Sequence, residues 1–158
     1  MRSAPLILLL TASLSFHAAI AETVTCPDLG SAVQVGACPS EEELRYTYTG
    51  YCSDNARMYD SKDDVCARFD NYRKMKNVAL WESGDGAFSG YVSCDLPVAR
   101  LKAAKAATIV VARQGSITRL ACAYGEGVIF SHRTTKACAL EGDGNCAGGS
   151  PGCRASCQ

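Results

Sequence analysis

The sequence predicts an α+β domain that is rich in disulfides. Its expected core is a small antiparallel sheet of about five strands, a hairpin plus a three-stranded meander, with two or three short helices. Three observations carry this expectation. Ten cysteines, an even number, stand among 158 residues. Apolar and aromatic positions recur at spacings of four and three through Val65, Phe69 and Tyr72, and then at a spacing of two within 78–94 and 108–134. Glycine-centred turn signals separate the segments of the second kind.

Taken in order, residues 1–21 have the organisation of a signal peptide. Arg2 supplies the basic start, Pro5 to Leu14 the apolar stretch, and Ala19-Ile20-Ala21 the small-x-small cleavage site. The stretch is shorter than the ~20 apolar residues that span a bilayer, so no stable membrane anchor is expected. Residues 22–138 are expected to form a single α+β domain, and residues 139–158 a Gly/Cys-rich tail. Loss of Arg2 leaves 15 basic side chains against 16 acidic ones, a formal charge of about −1. Without a basic stripe to displace counterions from a phosphate backbone, no nucleic-acid partner is expected.

Cys26 and Cys38 bracket a small glycine-containing loop. Ser40 with Glu43 is a capping-box pattern that starts one or two helical turns. Residues 47–51 then alternate Thr and Tyr, which fits a strand equally well. Ser61 to Asp64 offers a second N-cap, and Val65, Phe69, Tyr72 and Lys76 define an amphipathic helix over about 62–75. Cys66 lies beside that face and is placed to tie the helix to a neighbour.

The segments 78–83 and 87–94 flank Gly84-Asp85-Gly86, a hairpin signal. The expected core face carries Val78, Leu80, Phe88, Val92 and Cys94, with Ser89, Tyr91 and Ser93 opposite. Asp95 is expected to cap a short helix with Pro97 in its first turn. Strands at 108–113, 117–124 and 128–134 complete a meander. Pairing Tyr124 with Val128 sets Cys122 opposite Phe130 and Leu120 opposite His132 on one face, and Ile109 and Val111 join that face if the turn at Gln114-Gly115-Ser116 is a two-residue one. The other face carries Thr or Arg at several positions. One-sided burial of this kind is expected of an antiparallel sheet covered by helices on one side.

The cysteines are Cys26, Cys38, Cys52, Cys66, Cys94, Cys122, Cys138, Cys146, Cys153 and Cys157. In an exported chain they read as up to five disulfides. Zinc is not expected, because no C-x2-C or Cys/His pairing is present and Cys153-x3-Cys157 is the nearest approach. The tail also fails as a calcium loop. Glu141, Asp143 and Asn145 alternate as ligands would, but Cys146 stands where the turn needs Gly and Gly152 where a bidentate Glu is required. The tail is therefore read as a bridged, glycine-flexible clamp in which Cys146 pairs with Cys153 or Cys157. The cysteine left over ties back to the domain. Two bridges are expected within the N-terminal and C-terminal segments.

No catalytic residue and no cofactor are assigned. His132 is the sole histidine after residue 21, and its neighbour Ser131 points to the opposite face of a strand, so the two cannot form a dyad. Two-histidine ribonuclease chemistry and multi-histidine metal sites are excluded. Glu82, Asp85, Asp54, Asp60, Asp63 and Asp64 supply carboxylates for glycoside cleavage, but caps and turns account for most of them. In SGDGAFSG, residues 83–90, Ser89 replaces the third glycine of a dinucleotide fingerprint, and the segment joins two strands.

That segment resembles the Ser-Gly-containing loop of bacterial periplasmic inhibitors of C-type lysozyme, in which the loop enters the enzyme's active-site cleft. The resemblance covers about eight residues, and it implies Ser83, Asp85 and Ser89 as contact residues for a protein partner. LACAYGEG followed by KAC is similar to a pattern in small periplasmic proteins of unknown function, where a Cys-x-Tyr strand precedes a final cysteine. That similarity implies a Cys122–Cys138 bridge. The expected function is an exported, secreted or periplasmic, non-enzymatic protein that binds another protein, as a hydrolase inhibitor or toxin-neutralising factor. Two alternatives are a small secreted hydrolase using a carboxylate pair and a structural or adhesive envelope component.

Overall fold

The computed structural model describes residues 21–60, 64–146, 148–149 and 152–158. Except for Ala21, the expected signal peptide lies outside the described residues. Among the described residues, nine strands form two antiparallel sheets. The larger sheet is built from β2 (Val33–Gln34), β3 (Val78–Glu82), β4 (Ser89–Ser93), β5 (Thr108–Gln114), β6 (Ile117–Ala123) and β7 (Ile129–Thr134), in the order β2-β3-β4-β7-β6-β5. The smaller sheet joins β1 (Glu22–Thr25), β9 (Arg154–Cys157) and β8 (Cys138–Leu140) in that order. The α+β class and the disulfide richness follow the expectation. The strand number exceeds it because β2 and the whole smaller sheet carry no clear period-two signal.

The meander has the expected register. Cys122 faces Phe130, Leu120 faces His132, and Ile109 and Val111 face Cys122 and Leu120. Gln114 pairs with Ile117 across a two-residue turn. Phe130, Leu120 and Cys122 are fully buried and form the centre of the core, with Ile109, Trp81, Phe88 and Val92 around them.

In the hairpin, β4 and the residue before it bury Val92 and Phe88 and turn Ser89, Tyr91 and Ser93 outward as expected, but the face of β3 is corrected by one residue. A three-residue turn would set Val78 opposite Val92, whereas Ser83 bonds to Phe88 and the turn holds four residues, Gly84 to Ala87. Ala79 therefore faces Val92 and Trp81 faces Gly90, and these two rather than Val78 and Leu80 join the core. A slip of one residue exchanges the two faces of a strand. Gly90 is required here, because a Cβ would overlap the Ile129 carbonyl of β7 and crowd the Phe130 ring.

Helix α1 (Glu41–Tyr51) begins with the capping box complete, Ser40 accepting from the Glu43 amide at 3.2 Å and Glu43 accepting from the Ser40 amide at 2.7 Å. It runs on through the aromatic residues, so helix prevails over strand there. The reason is a tertiary one. Tyr48 packs on Phe69 and Tyr72, and Tyr51 packs on Tyr72, at ring distances of 5.3–5.6 Å.

Helix α2 (Phe69–Lys76) starts later than the pattern predicts. Cys66 is tied to Cys52, the Tyr48 hydroxyl donates to the Cys66 carbonyl, and the Asn71 side-chain Nδ2 donates to the Asp64 carbonyl. Those bonds hold the preceding residues in a turn. Residues 61–63 of the expected cap lie outside the described residues. Asp95 does not cap α3 (Val98–Ala103) either, since Pro97 occupies the cap position. Its carboxylate instead accepts from Arg73 and Asn77 and locks α2 to the end of β4.

The five bridges are Cys26–Cys122, Cys38–Cys94, Cys52–Cys66, Cys138–Cys157 and Cys146–Cys153. Cys146–Cys153 follows the expectation. The Cys122–Cys138 pairing is corrected: Cys122 lies on the buried face of β6 and meets the residue after β1, whereas Cys138 stands opposite Cys157 in the smaller sheet. The N-terminal pair Cys26 and Cys38 is not bridged internally, each cysteine reaching a distant strand or its end. The tail is also more than an appendage. It supplies β9 and most of β8, and it covers the edge of β5, where Ile109 donates to Gly144 and Cys146 to Ala107. Gly144 has φ of 83° and lies so close to the Ile109 carbonyl that a Cβ would sit 2.7 Å from it.

Candidate binding surface

The turn at 84–87 is constructed from within. Its four residues are exposed, and buried Ser83 and Phe88 anchor its ends. The Ser83 amide donates to the Phe88 carbonyl at 2.9 Å, and the Phe88 amide donates to the Ser83 hydroxyl at 3.0 Å. That hydroxyl donates to the Asp85 carboxylate at 2.5 Å, and the same oxygen of Asp85 accepts the Ala87 amide at 3.0 Å. The Gly86 amide closes onto the Ser83 carbonyl, and its φ of 71° suits glycine. The Ser83 hydroxyl, followed by the Ala87 amide, holds the Asp85 carboxyl below its ordinary range, and charge on His132 adds to that.

His132 supports the turn from β7. Its Nδ1 lies 2.8 Å from the Ala87 carbonyl, which can only accept, so Nδ1 carries the proton. The ring also packs on Phe88 at 5.4 Å. This geometry gives the histidine a holding role and leaves Ser131 on the other face of the strand, as the strand alternation requires.

The three residues implied as contacts are thus near one another but unlike in position. Asp85 is exposed at the tip. Ser83 is 2 % exposed and its hydroxyl is engaged with Asp85 and Phe88, so it shapes the turn from behind. Ser89 is half-buried on the outer face of the larger sheet, between Glu82 and Ser131 in register.

Asp54 caps the Ala56 amide, and the side chains of Asp60 and Asp63 lie outside the described residues. Among the described residues, no group of three or more His, Cys, Asp or Glu side chains is arranged to hold a metal ion. No described helix is long and apolar enough to cross a membrane. Five disulfides fit an oxidising or extracellular compartment.

Beside the turn, the outer face holds a feature that the sequence reading passed over. Arg119 and Arg133 stand directly opposite each other on β6 and β7, and both are exposed. The Arg119 guanidinium is fixed by two donations to the Ser131 hydroxyl, at 3.0 and 2.9 Å. With Arg113, they line a recess of about 470 Å³. The available signal was the meander register itself, which places Arg119 opposite Arg133 once Leu120 is set opposite His132. No family model, curated protein or solved structure matches the chain.

Proposed function

We propose that the chain is an exported, non-enzymatic protein that binds another protein through the turn at 84–87, acting as an inhibitor of a hydrolase or as a toxin-neutralising factor. The observation that carries this reading is the internal bonding of the turn. Four exposed residues are held by Ser83, Asp85 and Phe88 and braced by His132. A loop already fixed in its bound shape loses little conformational freedom on docking, and that cost otherwise subtracts from affinity. The disulfide framework extends the same rigidity to the scaffold and suits the oxidising space outside the cytoplasm. Signal-peptide features at residues 1–21 support export.

The test is stoichiometric inhibition of C-type lysozyme and of a panel of secreted glycosidases and proteases by the oxidised protein. Inhibition at one-to-one ratio is expected for one of them, weakened about tenfold or more by Asp85→Ala, which opens the turn. Complete absence of inhibition across the panel, or inhibition indifferent to Asp85→Ala, would sink this reading.

A further inference from the structure

We propose that Arg113, Arg119 and Arg133 form a binding site for the carboxylates of an acidic protein segment. This rests on the reading that the chain binds a protein, and it specifies the chemistry of the partner beside the turn.

Arg119 and Arg133 are a cross-strand pair of like charge, an arrangement that works against the sheet that contains it. Five of the other described basic side chains are paired: Arg73, Arg100, Lys105, Lys136 and Arg154 each meet a carboxylate within 4 Å. Among the described residues, no carboxylate comes within that distance of Arg113, Arg119 or Arg133. The same holds for Arg45, Arg57, Arg68, Lys74, Lys76 and Lys102, so it is the direct opposition of two arginines that sets this pair apart. Arg119 and Arg133 therefore stand together on the outer face with their charge unanswered, and Arg113, near the end of β5 opposite Thr118, joins them in lining the recess.

Two of them are already constrained. Arg119 is held on the Ser131 hydroxyl, and Arg113 donates its Nε to the Gly115 carbonyl. Each keeps part of its planar donor fork available, and that fork matches a carboxylate edge to edge. The Arg133 side chain makes no hydrogen bond to the described residues, its place in β7 being held by the backbone ladder.

The surroundings favour protein over nucleic acid. Tyr91, Val110, Ile117 and Ile129 are exposed on this same outer face, Tyr91 by 68 %. Arginine beside exposed aromatic and aliphatic side chains is the composition of protein interfaces. The basic patch is confined to three residues, in a chain whose charges otherwise balance, which is too little to track a phosphate backbone. Arg133 follows His132, the residue that braces the turn at Ala87, so one partner can touch the recess and the turn together.

The test is an NMR titration of the ¹⁵N-labelled oxidised protein with a hexaglutamate peptide, and separately with inorganic phosphate, at low ionic strength. Hexaglutamate is expected to give saturable shifts at the side-chain Nε–H of Arg119 and Arg133 and at the Ser131 amide. The Arg119→Gln/Arg133→Gln double variant should weaken this binding about tenfold or more. Its melting temperature should match or exceed that of the parent, because the opposed charges are removed.

A lower melting temperature would assign the pair a structural role and overturn the proposal. Shifts that do not saturate, or that persist in the double variant, would overturn it too. So would phosphate binding at lower concentration than hexaglutamate, which would make the site one for phosphate. A hydrolase whose inhibition needs Asp85 but ignores both arginines would leave the turn reading intact and remove this one. Specific hexaglutamate binding with no hydrolase inhibited would do the reverse.

Discussion

The two sheets are both antiparallel, yet they are held by different means. The larger one packs Phe130, Leu120, Trp81, Phe88 and Val92 into a continuous apolar core. The smaller one contributes side chains of little volume, with Ala155 and Cys157 buried and Val24 only partly so. Sulfur makes up the difference. Cys138–Cys157 crosses β8 and β9, Cys146–Cys153 closes the loop before β9, and Cys26–Cys122 fastens the end of β1 to β6. Where a segment has too little apolar area to order itself, a covalent link that restricts the unfolded chain takes the place of burial.

The largest test of that contrast cuts the link between the sheets. Cys26→Ala/Cys122→Ala opens a loop of sequence separation 96. On the chain-entropy account it is expected to cost about 4–5 kcal/mol, read from denaturant unfolding. A loss below about 1 kcal/mol would mean that packing alone joins the two sheets.

Phe130→Ala, at 0 % exposure in the larger sheet, is expected to cost about 3–5 kcal/mol through lost burial and the cavity left behind. Its effect should appear in hydrogen exchange across β4, β6 and β7.

Within the smaller sheet, Cys138→Ala/Cys157→Ala removes a bridge of separation 19, worth about 3 kcal/mol by the same entropic account. Exchange should quicken in β8 and β9 and leave β6 protected. Equal quickening in both sheets would mean that the two are held by the same means.

Thr118 sharpens it from the other side. Its hydroxyl is buried under the larger sheet and has no partner among the described residues. Thr118→Val is expected to stabilise the protein by about 1 kcal/mol, measured by thermal or denaturant unfolding, because an unsatisfied polar group leaves the core at nearly constant volume.

The smallest effect belongs to the exposed turn. Asp85 has a folded pKa below the unfolded value of 3.8, so its stabilisation is complete above that pH. It is lost as pH falls through the lower folded value. An acid titration comparing the parent with Asp85→Asn should show the two converging below about pH 4. A gap that widens there instead would contradict the bonding described for the turn.

The legibility of the chain followed its apolar periodicity. The pairing of β6 with β7 could be read to the residue, because Leu120, Cys122 and Phe130 alternate about a fixed Tyr124–Val128 pair. The register of β5 waited on the length of its turn, which Gln114 opposite Ile117 makes two residues. The hairpin was legible as an element, and the faces of β4 were as expected. The faces of β3 were reversed, since the count of turn residues depends on the Ser83–Phe88 bonds and on the Asp85 carboxylate. The turn itself was marked in the sequence by Gly84-Asp85-Gly86. The bracing by His132 was not marked, because it joins segments far apart in the chain. The withdrawal of Ser83 followed from the turn count, and the opposition of Arg119 and Arg133 was implicit in the meander register.

By itself, then, the sequence determined the α+β class, the capping box at Ser40 and Glu43, the core face of the meander and the oxidised state expected of its cysteines. Those features are set by contacts between residues close in the chain, or by a side-chain alternation that any sheet must obey. Only the tertiary structure decided the bridge partners, the start of α2, the role of Asp95 and the fate of the tail. Ten cysteines allow about nine hundred complete pairings, and local spacing scarcely ranks them. The choice among them was made by which strands met. Cys122 faces the core where the chain leaves β1, and Cys138 lies opposite Cys157 because β9 pairs with both β1 and β8.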